Sequence, residues 1–119
     1  MWVVELAPEF APELMAMTPE ARIELLAQAR VLEAFGPAAK RPRVDTLNGS
    51  KHANMKELRF DAGGGVWRAA FAFDPRRRAI LLVAGDKSGG SEKAFYRRLI
   101  ALADSRYNAH LARLGKRRK

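Results

Sequence analysis

The stretch Lys51–Lys87 has the sequence KHANMKELRFDAGGGVWRAAFAFDPRRRAILLVAGDK, in which three apolar segments alternate with turn residues. In its first apolar segment Leu58 and Phe60 alternate with charged residues, and this period of two is typical of a half-buried β-strand. Gly63–Gly65 then offers the backbone freedom that a tight turn requires. We therefore expect an antiparallel hairpin whose second strand is Val66–Phe73.

A third strand is expected at Ala79–Ala84, which is an almost unbroken aliphatic run. Such a run suits a central strand that is covered on one or both faces. Asp74–Pro75 supplies the turn before it, and Arg76–Arg78 places three cations at its edge. The whole stretch is thus predicted to be a three-stranded antiparallel meander that carries a basic site.

The N-terminal part of the chain is predicted to form one strand and two helices. Trp2–Leu6 is short, apolar and rich in β-branched residues, as an opening strand would be. Prolines confine Glu9–Met17 to a short helix or turn. Thr18 can cap the next helix and Pro19 suits its first position, so this helix should run to about Phe35.

The remaining segments are predicted to be a long loop and a long helix. Residues 37–54 contain two prolines and several cations, and form an irregular connection that is either functional or simply solvated. Apolar residues at helical spacing predict an amphipathic helix from about Glu92 to Leu114, followed by a basic, disordered tail at Lys116–Lys119. The expected fold class is α+β, with one domain over residues 1–115. Its small antiparallel sheet, made of the opening strand and the meander, is packed by two N-terminal helices and the long C-terminal helix.

Composition excludes several classes of protein. The 119 residues are 48% apolar and 29% charged, which is typical of a soluble globular domain. No apolar run approaches the roughly 20 residues that span a bilayer, and the first residues lack a basic leader, so no membrane partner and no secretion are expected. The chain has no cysteine and hence no disulfide or thiolate metal site, which fits a cytoplasmic protein.

Charge is the strongest global clue to a partner. The net charge of +9 is unevenly placed: residues 1–36 carry two basic and six acidic side chains, whereas residues 37–119 carry 20 basic and seven acidic ones. A basic, asymmetric domain of this kind favours a polyanionic partner, with nucleic acid ahead of a membrane surface. The alternative is a charged surface that serves only solubility.

The usual catalytic signatures are absent from the sequence. It has no metal-ligand cluster, no Walker phosphate loop and no nucleophile elbow, so we expect neither a metal nor a cofactor. His52 and His110 are too far apart in sequence to imply a pair. A lone histidine is more often structural than catalytic.

Three segments of the chain carry a resemblance to a known family: residues 55–60 (MKELRF), 66–71 (VWRAAF) and 84–89 (AGDKSG). Together with the order of predicted elements, they resemble the RelE/ParE superfamily of bacterial toxins, and most of all its HigB-like, phage-related branch. The resemblance implies a RelE-like fold. It also implies a cognate antitoxin as partner, typically a small helix-turn-helix protein.

The superfamily offers two activities, and the resemblance leaves both open. Members on the RelE side are endoribonucleases that cut messenger RNA on the ribosome, whereas ParE members inhibit DNA gyrase without catalysis. Messenger RNA and the ribosome are therefore the expected targets, with gyrase as the alternative. A nucleic-acid-binding module without toxicity is a third possibility.

The resemblance also assigns candidate site residues. Arg68 matches the strand arginine that the family uses to stabilise phosphate, Lys87 lies where the branch places a cation after the last strand, and Tyr96 or its neighbour Phe95 lies near an aromatic position that stacks on a base. The catalytic candidates are Arg68, Lys87, Arg59 and Lys56, and the substrate-binding candidates are Lys51, His52, Tyr96 and Arg76.

The chemistry of the residues is compatible with this assignment. Cleavage of RNA requires charge stabilisation at phosphorus, and a guanidinium does this well because it stays charged and binds phosphate oxygens in pairs. Pairing through the glycine turn would place Arg59 and Arg68 near each other on an exposed face. Glu57 and Lys56 are the possible general bases, and neither is assigned.

Each candidate also has a simpler explanation. Tyr96 fits the apolar stripe of the last helix and could belong to the core. Arg68 could be an ordinary surface arginine, and Lys87 could neutralise Asp86.

Overall fold

The computed structural model describes residues 1–117 and confirms the predicted α+β class. The elements, in chain order, are β1 (Val3–Leu6), α1 (Ala11–Ala16), α2 (Pro19–Phe35), β2 (Val44–Thr46), β3 (Met55–Ala62), β4 (Gly65–Phe73), β5 (Arg78–Asp86) and α3 (Glu92–Arg117). The arrangement agrees with the expected RelE-like fold. Among the described residues, no helix combines the length and apolar character that crossing a bilayer demands.

The five strands form one sheet in the order β1-β5-β4-β3-β2. The predicted meander is confirmed, since β3, β4 and β5 pair antiparallel in sequence. The prediction of a wholly antiparallel sheet is wrong at β1, because Val3 pairs with Arg78 in a parallel ladder. The chain reaches β5 only after α1, α2 and the strands β2, β3 and β4. Such a long connection permits the parallel direction, whereas a hairpin would have forced the antiparallel one.

Residues 37–54, expected to be irregular throughout, contain the short edge strand β2. Val44 pairs with Leu58 and Thr46 with Lys56. Only three residues take part, so the segment lacks the alternation that would have revealed a strand.

The β3–β4 hairpin has the tight turn that its glycines predicted. Gly63 and Gly64 have φ values of 55° and 79°, the left-handed region that a two-residue type I′ turn requires at both positions. Ala62 therefore pairs with Gly65, which fixes the register of the whole hairpin.

Helices cover both sides of the sheet, since five successive residues of β5, Ala79–Val83, are buried. Helix α2 packs against β3 and begins as predicted, with Thr18 Oγ1 accepting a hydrogen bond from the Ala21 amide at 3.3 Å. Helix α3 packs against β5 and β4. It extends through Arg117, so the first two residues of the predicted disordered tail are helical, and the other two lie outside the described residues.

Candidate active site

The β3–β4 hairpin brings a carboxylate and a guanidinium together on one face of the sheet. Its register pairs Arg59 with Arg68 and Glu57 with Ala70, so these side chains project to the same side. Arg68 Nε lies 3.3 Å from Glu57 Oε1. The predicted neighbourhood of Arg59 and Arg68 is thereby confirmed.

Helix α3 adds a tyrosine to this pair. The Tyr96 hydroxyl donates a hydrogen bond to Glu57 Oε1 at 2.8 Å and accepts one from Arg68 Nε at 3.2 Å. Burial, and then the hydrogen bond to Glu57, raise the pKa of Tyr96 above its usual value, which keeps the hydroxyl protonated at neutral pH. We call Glu57, Arg68 and Tyr96 the Arg68 cluster.

The Arg68 cluster is buried, and the expectation of an exposed face is wrong. Glu57 is 8% exposed and Arg68 is 6% exposed, because the first turns of α3 lie over them. Arg68 also donates to the backbone oxygen of Trp67 at 2.8 Å. These bonds fix the guanidinium in one position, and a fixed donor is what stabilises a developing negative charge most effectively.

Lys87 reaches the same end of the sheet from the loop after β5. Its amide donates to the Val66 carbonyl at 2.7 Å, and its ammonium contacts the Glu92 carboxylate at the start of α3. The hydrogen bond and charge of Lys87, and then the charges of Arg68 and Arg59, hold the pKa of Glu92 below its usual range. Glu92 therefore lies in the field of three of the predicted catalytic cations.

The Asp86 carboxylate does not form an ion pair with the Lys87 ammonium. Its Oδ1 atom accepts hydrogen bonds from the hydroxyl and the amide of Ser88 and from the Val66 amide. The two bonds from Ser88, and then that from Val66, lower the pKa of Asp86. Asp86 thus shapes the loop, while the Lys87 ammonium pairs with Glu92.

Arg59 lies at the edge of the cluster, and Lys56 lies outside it. Arg59 is one-third exposed, and its NH1 atom is 3.9 Å from Asp45 Oδ2. Lys56 precedes Glu57 in β3, so strand alternation directs it to the other face. Its ammonium donates instead to Thr46 Oγ1 at 3.2 Å.

Lys51 and His52 belong to the loop before β3, and they contact α3 farther along the helix than Tyr96. The Lys51 amide donates to Asp104 Oδ2 at 3.0 Å, and His52 Nε2 is 2.8 Å from Asn108 Oδ1. Asn108 is three helical turns beyond Tyr96, about 18 Å at 1.5 Å per residue. His52 is therefore not part of the Arg68 cluster.

Arg76 lies at the opposite end of the sheet. It is in the β4–β5 turn, where its amide donates to Asp74 Oδ1 at 2.9 Å. Strand β4 ends at Phe73, five residues beyond Arg68 and about 17 Å away at 3.3 Å per residue, and the turn that holds Arg76 follows it. The structure thus leaves Arg76 far from the other candidates.

Of the two aromatic candidates, Tyr96 belongs to the cluster and Phe95 does not. Phe95 is 9% exposed and belongs to the core. Its ring approaches Gly85 so closely that a Cβ atom at position 85 would clash with it. Tyr96 is half-buried and contacts both charged members of the cluster.

A cleft of about 430 Å³ opens beside the cluster. It is lined by Asp45, Thr46, Leu47, Asn48, Glu57, Glu92, Lys93 and Tyr96. Glu57 Oε1 makes both contacts to the cluster, whereas Oε2 accepts no hydrogen bond within the described residues and is not sealed from solvent. The cleft therefore offers access to a carboxylate oxygen that is held beside a guanidinium.

Sequence reasoning overlooked two features of this site. The sequence pattern predicts Glu92 only as the start of a helix, although it pairs with Lys87. The same pattern favours a stacking or core role for Tyr96 and does not predict the hydrogen bonds of its hydroxyl. Neither role had a local signal, because each depends on where α3 meets the sheet.

Within residues 1–117, His, Asp and Glu form no group of three or more that could hold a metal ion.

The chain is similar to a known family and to two known proteins. Residues 12–108 match the family described as phage-derived protein Gp49-like (DUF891). The chain is 42% identical over 109 residues to HigB3, a candidate toxin of Mycobacterium tuberculosis, and the match covers 92% of this chain and 93% of that protein. It is 47% identical over 89 residues to the candidate toxin HigB2 of the same organism, covering 74% of this chain but only 44% of the length of HigB2. The chain therefore belongs to the Gp49-like family, and within the RelE/ParE superfamily it is a HigB-like member.

Proposed function

We propose that the protein is the toxin of a toxin–antitoxin module and acts as a ribosome-dependent endoribonuclease on messenger RNA. The names of its relatives support the first part. The observation that carries the second is the Arg68 cluster, in which a buried guanidinium is fixed beside a carboxylate and a cleft. Ribosomes are cytoplasmic, so the proposal places the protein there.

The proposed reaction uses the 2′-hydroxyl of the RNA as nucleophile. Glu57 Oε2 accepts its proton while the 2′-oxygen forms a bond to phosphorus. Arg68 stabilises the negative charge that accumulates on the phosphate oxygens. The bond from phosphorus to the 5′-oxygen breaks, and the Lys87 ammonium donates the proton that the departing oxygen takes up. The products are a 2′,3′-cyclic phosphate and a 5′-hydroxyl.

Lys87 is occupied by Glu92 in the free protein. A phosphate entering the cleft would compete with this carboxylate for the ammonium. Since the pair is at the surface, the competition costs little. Arg68 needs no such exchange of partner, because its guanidinium offers more donors than Glu57, Tyr96 and Trp67 accept.

A cognate antitoxin is part of the proposal. The relatives are named as candidate toxins, and a toxin of this kind requires a partner that neutralises it. The surplus of cations in residues 37–119 suits an acidic partner surface. A small helix-turn-helix protein is the partner proposed for this branch.

The decisive variants are Glu57→Gln and Arg68→Lys. Truncating Arg68 to alanine would strand a buried carboxylate and destabilise the fold, so Lys is preferred because it keeps a positive charge beside Glu57. Each variant should lower cleavage by about 100- to 1,000-fold, the usual cost of removing one group that stabilises a transition state. Cleavage is measured by mapping transcript ends on purified ribosomes programmed with messenger RNA.

Arg98→Lys is the matched control, since Arg98 is exposed on the other side of α3 and lines a different cleft. Its cleavage rate should equal that of the unmodified protein. Undiminished cleavage by a folded Arg68→Lys protein would contradict the assigned role. Gyrase-dependent DNA breaks with normal translation would instead support the ParE-type activity.

A further inference from the structure

A second cleft lies along the same side of α3 as the cleft beside the Arg68 cluster. The second cleft, of about 600 Å³, is lined by Gly49, Lys51, Arg97, Ile100, Ala101, Asp104, Ser105 and Asn108. The linings join at two places: Asn48 is followed by Gly49 in the loop, and Lys93 lies one helical turn before Arg97. We call the two clefts together the α3 groove.

The α3 groove is long. On the helix it runs from Glu92 to Asn108, about 24 Å at 1.5 Å per residue. The Arg68 cluster lies near one end, because Glu57 and Tyr96 line the first cleft. The shape therefore suits an extended polymer that passes the cluster better than it suits a compact small molecule.

The loop at residues 50–52 forms the wall of the groove opposite α3, and hydrogen bonds to the helix hold it in position. Asp104 is 8% exposed, and its two carboxylate oxygens accept hydrogen bonds from the Ser50 hydroxyl at 2.5 Å and from the Lys51 amide at 3.0 Å. The ring of His52 bonds Asn108 on the next turn. A loop tied down in this way loses little conformational entropy when a ligand binds.

The acidic residues of the groove near the cluster are already paired with cations. Asp45 is near Arg59, Glu57 is paired with Arg68, and Glu92 with Lys87. The carboxylate of Asp104 is occupied by the loop.

Three exposed cations remain along the groove, namely Lys51, Lys93 and Arg97. Within residues 1–117, none of them lies within ion-pair distance of a carboxylate, in contrast to Arg78, Arg106 and Arg113 elsewhere on the surface. Asp104 keeps its negative charge, because the Ser50 hydroxyl and the Lys51 amide are neutral donors. These three cations still outnumber that one carboxylate without an ion pair, so the groove has a surplus of positive charge. Half-buried Ile100 supplies an apolar floor between the cations.

We infer that the α3 groove holds single-stranded RNA on one side of the phosphate that the Arg68 cluster cleaves. Lys93, Arg97 and Lys51 contact successive phosphates, and the bases lie against the floor at Ile100. A cationic track beside an apolar surface is how proteins hold single strands without reading their sequence. The inference rests on the proposed function, because it assigns the strand in the groove to the substrate of that site.

The sharpest test compares Arg97→Glu with Arg98→Glu. The two arginines are adjacent and exposed on α3, but only Arg97 lines the groove. The probe is a fluorescein-labelled oligouridylate of about 10 nucleotides, within the range that single-strand sites cover. It carries 2′-O-methyl groups, so it has no nucleophile and stays intact. Fluorescence anisotropy gives the dissociation constant as the salt concentration rises.

Arg97→Glu and Lys93→Glu should each weaken binding about 10-fold. Each should also lower the slope of log affinity against log salt by about 0.7, the value for one phosphate contact on a single strand. Arg98→Glu should leave the slope unchanged. Equal effects of Arg97→Glu and Arg98→Glu on binding would overturn the inference that RNA lies in the groove, since the overall charge of the protein would then explain the binding.

A second arm uses ribosomes programmed with messenger RNA. Arg97→Glu should raise KM with little change in kcat, because it removes a contact made equally to substrate and transition state. If the variant instead loses affinity for empty ribosomes while oligouridylate binding is unchanged, the groove binds ribosomal RNA and the inference is overturned.

The two proposals fail in different ways. If the unmodified protein cuts messenger RNA on ribosomes but groove variants match it in both arms, only the inference fails. If the unmodified protein does not cut at all, the proposed function fails whatever the oligouridylate shows.

Discussion

Two buried groups of similar composition lie at opposite ends of the sheet. The Arg68 cluster joins a carboxylate, an arginine and a ring from α3, and Asp74, Arg78 and His110 do the same at the β4–β5 turn. We call the second group the Asp74 cluster. Asp74 Oδ1 accepts from the amides of Arg76 and Arg78, and Oδ2 accepts from the Arg78 guanidinium at 3.3 Å and from His110 Nε2 at 2.8 Å.

The two clusters differ in whether a carboxylate oxygen remains free to bind another group. Every oxygen of Asp74 is occupied and its side chain is 0% exposed, so the Asp74 cluster can only hold the turn together. Glu57 uses one oxygen for its partners and keeps the other beside a cleft. Similar residue types therefore serve structure at one end and offer reactivity at the other, and solvent access decides which.

The largest effect expected from this comparison is on folding. Asp74→Ala should lower the free energy of unfolding by about 3–5 kcal/mol, because it leaves Arg78 and His110 without the carboxylate they surround. Urea denaturation followed by circular dichroism measures the loss. The control is Asp61→Ala, an exposed carboxylate in β3 whose removal should cost less than about 0.5 kcal/mol. Similar losses for the two variants would refute the structural role of Asp74.

A smaller effect separates two tyrosines of α3. Tyr96→Phe removes the hydroxyl that bridges Glu57 and Arg68, and Tyr107→Phe removes one that bonds Asn54 at 3.2 Å. Each should lower the free energy of unfolding by about 1 kcal/mol, the worth of an ordinary hydrogen bond.

The two tyrosine variants should differ in activity. Tyr96→Phe should slow cleavage on ribosomes, since it loosens the guanidinium, whereas Tyr107→Phe should cleave normally. Equal activities would show that the Tyr96 hydroxyl is only structural.

The smallest expected effect is a dependence of stability on acid pH. Burial opposes the ionisation of Asp74, but hydrogen bonds from His110 and the Arg78 amide, and the charge of Arg78, outweigh it and lower its pKa. The unfolded chain then binds the proton first, at its ordinary pKa of 3.8. The stabilisation from Asp74 is complete above that pH and is lost as the pH falls through the lowered value.

The measurement is the free energy of unfolding between pH 6 and the acid limit, with Asp74→Asn as the comparison. The groups facing Asp74 are His110 and Tyr107 of α3 and Arg78 of β5, which itself pairs with Glu5 of β1. The part of the acid slope due to Asp74 should vanish in Asp74→Asn. An unchanged slope would assign it to the other carboxyl groups whose pKa is lowered, Glu9, Asp86 and Glu92.

Much of the fold could be predicted because its signals are local. The start of α2 at Thr18 and Pro19, and its end before Gly36, depend on neighbouring residues alone. The glycine turn set the pairing of Arg59 with Arg68 for the same reason. The parallel direction of β1 was missed because its partner β5 is far away in sequence, and strand β2 was missed because three residues are too few to show alternation.

The candidate site shows the same division. The strand that carries Arg68 and the loop that carries Lys87 followed from pattern and resemblance. His52 and Arg76 were predicted to bind substrate, and the structure places both away from Arg68, because closeness in sequence to the meander does not imply closeness to the Arg68 cluster.

The meander, its register and the surplus of positive charge follow from the amino-acid sequence alone, because alternation, turn residues and composition act over short distances. The burial of Arg68, its contacts with Glu57 and Tyr96, and the pairing of Glu92 with Lys87 follow from the packing of the folded chain. Those features arise where α3 lies across the sheet. The physical reason is that burial and hydrogen bonding depend on which surfaces meet, and this contact joins residues about 40 positions apart in sequence, such as Glu57 and Tyr96 at a separation of 39.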